Sequence, residues 1–272
     1  FLAKLAGVKV RISESISKGN KNEKKSLVKY VLRPFSHLFA NYYMANSIDC
    51  GVWQFGRKSY DDGKVDIFKS IIDVNKNKFD KSIRDKVRKD FGLNGKIVYG
   101  FIGRYVAQKN PLFLIDIFNA ISKKQDNAFL VLIGFGDMER EMMDKVSLLG
   151  ISDRVINLGR REDIALFYNA FDAFLLPSLY EGMPVVGIEA QCFGLPVFFS
   201  ENITKETTAS DLAHYIGLDK SADDWADYVI SAIKANQSNR EEAFKKVIAN
   251  GFDCKNESMR LQRYYEEKLL DK

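Results

Sequence analysis

The chain has 272 residues, 46% hydrophobic and 28% charged, with a formal net charge of +5. That is the balance of a soluble globular protein of one large or two ordinary domains, and its charge suits an anionic ligand or membrane surface without requiring either. Three scattered cysteines (Cys50, Cys192, Cys254) and two histidines (His37, His214) argue for a reducing compartment and against a structural zinc site or a Ser-His-Asp triad.

No run of about 18 apolar residues is present, so no transmembrane helix is expected. The chain opens at Phe1 in an apolar run, which reads as a fragment or a trimmed chain. Phe1–Ala6 reads as the tail of a helix and Gly7–Ile12 as a strand. Ser13–Lys25, polar and lysine-rich, predicts a loop. Leu27, Val31, Leu32, Phe35, Leu38 and Phe39 recur at helical spacing across Pro34. Lys18, Lys21, Lys24, Lys25, Lys29 and Arg33 along this region face either anionic lipid or plain solvent. A strand at Tyr42–Ser47, a helix at Ile48–Phe55 and an apolar run at Val65–Ile72 follow.

Asp73–Asp90 is strongly charged and predicts a linker passing into a helix. The expected domains are therefore 1–73, an amino-terminal piece, and 74–252, with 253–272 a final helix that packs back on the amino-terminal part. Beyond Gly95 the pattern is regular. Strands are expected at Lys96–Ile102, Ala128–Ile133, Arg154–Leu158, Ala173–Leu176 and Leu195–Phe199. Helices are expected at Pro111–Lys123, Met138–Leu149, Ile164–Ala170 and Pro184–Phe193. Near-continuous apolar strands alternating with helices indicate an α/β fold with a parallel sheet covered on both faces. Trp225, Val229, Ile230 and Ile233 form one face of a later helix, and the last helix spans about Ser258–Leu270.

Ligands of such sheets sit at the carboxyl ends of the strands. Those ends carry Gly103-Arg104, Gly134-Phe135-Gly136, Gly159-Arg160-Arg161 and Ser178-Leu179-Tyr180-Glu181-Gly182. Arg104 and Lys109 on one loop read either as a diphosphate clamp or as solvated charges. In the stretch Leu176–Ser200, a helix starting at Pro184 offers the unpaired N–H groups of its first turn to a phosphate at Pro184–Val186. Glu181 and Glu189 flank that point, and carboxylates accept hydrogen bonds from the hydroxyls of a ligand built around a pyrophosphate. Neither GxGxxG nor GxxxxGK[ST] occurs in the chain, which argues against a nicotinamide enzyme and against ATP or GTP hydrolysis.

Taken together, Gly103-Arg104-Tyr105-Val106-Ala107-Gln108-Lys109-Asn110, the Gly134–Gly136 turn, Leu158-Gly159-Arg160-Arg161-Glu162-Asp163 and Glu181-Gly182-Met183-Pro184 through Glu189-Ala190 resemble glycosyltransferase family 4. These are retaining enzymes of the GT-B fold, with two Rossmann-like domains. Glu181 and Glu189 match that family's E-x7-E motif. Gly194-Leu195-Pro196-Val197 and Ile203-Thr204-Lys205-Glu206 are similar to its capsular and exopolysaccharide branch. The resemblance covers nearly all of residues 96–235.

The resemblance implies one complete donor-binding domain and a partial amino-terminal one. It implies a UDP- or GDP-sugar donor and a polysaccharide or lipid-linked acceptor. Arg104 and Lys109 would bind the diphosphate and stabilise the leaving nucleotide. Arg160 and Arg161 would lie beside the base, Glu189 would hold the ribose hydroxyls and Glu181 the hydroxyls of the sugar. Gly182, Met183, Pro184, Val185 and Val186 would complete the phosphate cradle, with Gly103, Gly134 and Gly136 lining the donor. No D-x-D pair is present, and neither a dedicated metal or cofactor nor a nucleic-acid partner is expected. The expected location is cytoplasmic, with peripheral contact at the inner face of an anionic membrane.

Two departures stand out. Only about 73 residues precede the linker, where a whole domain of this kind needs well over 100. Relatives often carry histidines after the strand that Val8–Ile12 resembles, whereas this chain has Ser13-Glu14-Ser15-Ile16-Ser17. The readings left open beside a transferase are a nucleotide-sugar 2-epimerase of the same fold and a non-catalytic nucleotide-sugar-binding fragment or subunit.

Overall fold

The computed structural model describes residues 2–17, 24–236 and 239–270. The amino-terminal part contains α1 (Leu2–Leu5), β1 (Ile12–Ser15), α2 (Lys24–Phe39), β2 (Tyr42–Ala45), α3 (Ile48–Phe55), α4 (Arg57–Asp61) and β3 (Val65–Ile67). Its three strands form a parallel sheet in the order β1-β2-β3, registered at Ile12↔Tyr42 and Tyr43↔Val65. The first strand lies later than its sequence suggests, because Asn41 captures the residues before it. Asn41 Oδ1 accepts the Arg11 N–H at 2.7 Å and its Nδ2 donates to the Lys9 carbonyl at 2.8 Å. Ladder pairing therefore begins at Ile12 and runs to Ser15, into the stretch expected to be loop. Lys18 and Lys21 of the basic segment lie outside the described residues.

The second part begins with α5 (Lys81–Asp90), capped by Asp80, whose Oδ1 accepts the Ser82 and Ile83 N–H groups at 2.7 and 3.2 Å. It continues through β4 (Ile97–Ile102), α6 (Pro111–Lys124), β5 (Ala128–Ile133), α7 (Glu139–Leu148), β6 (Val155–Asn157), α8 (Ile164–Ala170), β7 (Ala173–Leu176), α9 (Val185–Cys192), β8 (Val197–Ser200), β9 (Ala213–Ile216), α10 (Ala222–Ala235) and α11 (Arg240–Ala249). Six strands pair in parallel in the order β6-β5-β4-β7-β8-β9. Each central strand is buried on both faces, which is why β5 and β7 read as unbroken apolar runs. Gly100 at the centre of β4 is held to glycine by packing, since a Cβ there would overlap the Phe171 ring.

Asp172 pins the start of β7. Its Oδ2 accepts the Val98 N–H at 2.8 Å, and its carboxylate meets Arg84 at 2.5 Å and Arg88 at 3.0 Å. Finally α12 (Cys254–Leu270) reaches the first part. Buried Tyr264 stacks edge-on to Phe68 with centroids 5.3 Å apart, and Lys268 Nζ lies 5.1 Å from the Tyr42 ring. Among the described residues, no helix is long and apolar enough to cross a membrane.

Candidate active site

The winding of the six-stranded sheet reverses between β4 and β7, which leaves a crevice between the loops that follow them. The two loops are knitted together by their backbones, Leu179 N–H donating to the Gln108 carbonyl at 2.8 Å. Gln108 Nε2 donates to the Tyr180 carbonyl at 3.1 Å and to Glu181 Oε2 at 3.2 Å. Lys109 Nζ lies 2.6 Å from Glu181 Oε1. A cation from one loop and a carboxylate from the other thus meet at the crevice, both largely withdrawn from water.

Beside them, Gly103 and Gly134 are packed backbone to backbone. A Cβ on Gly134 would overlap the Gly103 carbonyl oxygen, and one on Gly136 would overlap that of Tyr105. These glycines are required by the close approach of adjacent strand ends. Arg104 sits on the same rim, exposed, without a side-chain ion pair or hydrogen bond to the described residues. The two arginines after β6 behave differently. Arg160 lies over the Phe135 ring at 5.5 Å. Arg161 makes a two-pronged bond to Asp163, both contacts at 2.7 Å, and covers Phe167 at 4.9 Å. The bond to Asp163 holds the Arg161 guanidinium above its ordinary pKa and the Asp163 carboxyl below its own. Arg160 therefore remains beside the glycine turn, while Arg161 is tied to its own loop.

On the far side of the crevice, Pro184 (φ −71°, ψ 107°) is the N-cap of α9 rather than its first helical residue. A β-region cap places Val185 first, and the leading N–H groups of the helix have no acceptor within it. Met183 is buried beside Ile72, Val74 and Ile188, anchoring the loop. Val185 is exposed and Val186 half-buried. Glu189 lies one turn along α9, where Oε2 accepts the Tyr168 hydroxyl at 3.0 Å. Burial raises the Glu189 pKa, and the Tyr168 hydrogen bond opposes the rise. Tyr168, wholly buried, was not legible as a site residue; within α8 it reads as one more core aromatic. Gln108 was equally silent, although it sits in the segment that carried the resemblance.

Gly182 marks where the two parts of the molecule touch. A Cβ there would overlap the Ile16 carbonyl oxygen and lie 3.2 Å from Cys50 Sγ. A cavity of about 320 Å³ opens next to this contact at the end of β1, lined by Glu14, Ile16, Leu32, Arg33 and Trp53 among others. His214 lies elsewhere, on the edge strand β9, stacked on Phe198 with centroids 4.9 Å apart. Among the described residues, no group of three or more His, Cys, Asp or Glu side chains is placed to hold a metal ion.

Residues 83–250 match the family described as glycosyl transferases group 1. The EpsF protein of Bacillus subtilis (strain 168) is 29% identical over 257 residues, covering 93% of this chain and 67% of EpsF. The UDP-Gal:alpha-D-GlcNAc-diphosphoundecaprenol alpha-1,3-galactosyltransferase of Escherichia coli is 33% identical over 140 residues, 50% of this chain and 34% of that enzyme. A crystal structure of HepE from Anabaena in complex with UDP and glucose aligns with a TM-score of 0.83 at 19% identity, over 97% of this chain and 73% of HepE. At that identity the likeness is one of fold, that of two Rossmann-like parts facing each other across a crevice.

Proposed function

The chain belongs to the glycosyl transferases group 1 family, and we propose that it moves a sugar from a nucleoside diphosphate donor to a polysaccharide or lipid-linked saccharide with retention at the anomeric carbon. The observation that carries this reading is the Lys109–Glu181 pair at the switch point of the sheet, 2.6 Å apart. It sits among glycine-lined strand ends on one side and the start of α9 on the other.

In this reading the diphosphate lies between Arg104, Lys109 and the free N–H groups of Val185 and Val186. Gly103, Gly134, Gly136 and Gly182 line the donor, with Met183 and Pro184 fixing the turn. Arg160, held by Phe135, flanks the base, and Arg161 braces that loop through Asp163. Glu189 accepts hydrogen bonds from the ribose and Glu181 from the transferred sugar. As the bond from anomeric carbon to diphosphate breaks, negative charge grows on the departing phosphate. Fixed cations and helix N–H groups stabilise that charge where it develops, as in an oxyanion hole.

HepE has been crystallised with UDP-glucose, and the Escherichia coli relative is named for UDP-Gal; both support a UDP-sugar ahead of a GDP-sugar. The cavity at the end of β1 lies next to the Ile16–Gly182 contact and supports acceptor binding there. Away from that cavity, α2 exposes Val31, Phe35 and Leu38 and carries Lys24, Lys25 and Lys29 in its sequence. That composition supports peripheral contact with anionic lipid at the cytoplasmic face of a membrane.

Calorimetry against UDP, GDP and the corresponding monophosphates tests the donor half, followed by sugar transfer with the product's anomeric configuration read by NMR. Absence of nucleoside diphosphate binding sinks the proposal, and an inverted product sinks retention. Co-sedimentation with phosphatidylglycerol vesicles, compared with phosphatidylcholine vesicles, tests the lipid contact.

A further inference from the structure

The segment between β8 and β9 touches both parts of the molecule. Ser200 Oγ donates to the Ser178 carbonyl, and Asn202 Nδ2 donates to the Leu179 carbonyl at 2.9 Å. The segment is thereby tied to the loop that carries Glu181. A few residues on, in the short 3₁₀ turn Lys205–Thr207, Glu206 reaches across to the amino-terminal part. Its Oε1 and Oε2 accept the Ile48 N–H at 2.8 and 2.9 Å, and Oε1 also accepts the Asp49 N–H at 3.4 Å. Thr204 Oγ1 donates to Oε1 at 3.2 Å and steadies the carboxylate.

These N–H groups open α3, where a helix has no internal acceptors and carries partial positive charge. A carboxylate from the other part of the molecule satisfies both. Ser47, the cap from within the helix's own strand-to-helix turn, takes only the Cys50 N–H at 3.1 Å. Further along, α3 meets the site again, because the Cys50 carbonyl accepts Ser15 Oγ at 3.0 Å and Cys50 Sγ packs against Gly182. Asn46 Nδ2 donates at 3.3 Å to the Ile16 carbonyl, the group that lies over Gly182. So α3 is held at its start by Glu206 and along its side by the Glu181–Gly182 loop, and both holds run back to residues 178–182.

We propose that Glu206 is a positioning residue that couples occupancy of the donor crevice to the seating of α3 and the β1 end over it. This rests on the donor reading given above. In this reading Glu206 touches neither donor nor acceptor; it transmits the state of the 178–182 loop to the facing half of the crevice, so that a bound nucleotide firms the seating of α3 already present in the structure.

The test is amide hydrogen exchange of Ile48–Cys50 in the intact chain, with and without UDP, for the wild type, Glu206→Ala and Glu206→Gln. In the wild type UDP slows exchange at these amides. In Glu206→Ala they exchange roughly tenfold faster or more, the scale of losing charge-assisted hydrogen bonds, and UDP no longer slows them. Glu206→Gln keeps an acceptor and gives an intermediate result, while UDP affinity by calorimetry stays within about twofold in both variants. Equal protection by UDP in Glu206→Ala and wild type overturns the coupling, as does a parallel collapse of UDP affinity. A wild type that binds no UDP sinks the donor reading and the coupling with it. A wild type that binds UDP without protecting α3 sinks the coupling alone.

Discussion

Lys109 Nζ lies 2.6 Å from Glu181 Oε1, with the two side chains 13% and 9% exposed. At that depth neither charge is well solvated, so removing one strands the other. Lys109→Met should therefore cost about 3 kcal/mol of stability, the lower part of the range for breaking a buried pair. In the Lys109→Met/Glu181→Gln double variant the loss should be clearly less than the sum of the singles. Urea denaturation of the four proteins measures both, and additivity would show that the charges do not sense each other.

Among the described residues Arg104 has no such partner, and it is exposed. Arg104→Ala should leave stability within about 0.5 kcal/mol of wild type and still weaken ligand binding. The loss should be greater for UDP than for UMP, by about 1–3 kcal/mol for a charged contact made to the diphosphate alone. Calorimetry with both nucleotides decides it; equal losses remove Arg104 from the diphosphate.

Glu189 carries a pH prediction. Burial raises its pKa, and the Tyr168 hydroxyl pulls it back. If the carboxylate accepts the ribose hydroxyls, affinity is full above the raised pKa and falls as pH drops through it. The fall should begin above the ordinary carboxylate range. Tyr168→Phe removes the interaction that lowers the pKa, so its affinity profile should shift to higher pH. A profile for UDP that is flat down to the normal range, or a downward shift in the variant, contradicts the assignment.

Gly134→Ala places a Cβ against the Gly103 carbonyl, at a φ of 154° that L side chains rarely adopt. The strand ends must separate, at a cost of about 2–3 kcal/mol. Because those strand ends lie beside the crevice, UDP affinity should fall by more than tenfold even where the variant stays folded. Thermal melts and calorimetry on the same sample check the two effects.

The six-stranded part was readable because its signals are local. A strand buried on both faces needs an unbroken apolar run, and a strand end that meets its neighbour closely needs glycine, so Ala128–Ile133 and Gly134–Gly136 announce themselves. Ala213–Ile216 was missed because an edge strand in a half-exposed setting needs no apolar run. The shift of the first strand to Ile12–Ser15 came from Asn41, a residue distant in sequence whose side chain imitates a strand partner. Site residues failed in the same way. Tyr168 and Gln108 act through one hydrogen bond each to a carboxylate, and neither residue type signals that partner. Glu206 belonged to a recognised motif, but its partners Ile48 and Asp49 are backbone groups that no side-chain pattern can reveal.

The pairing of β4 with β7 has a consequence for how the molecule matures. Their partners are Tyr99↔Ala173 and Gly100↔Phe174, the shortest register among the six strands of the sheet and one closed across two intervening strands and three α-helices. Such a long loop is closed late, because its entropy is lost before its contacts are gained. The crevice that joins Lys109 to Glu181 exists only once that seam is shut. If the crevice holds a nucleotide as proposed, that ligand should favour chains that have finished folding and rescue variants weakened at the seam in proportion to RT ln(1 + [L]/Kd). The substrate would then act as a folding clamp on its own enzyme.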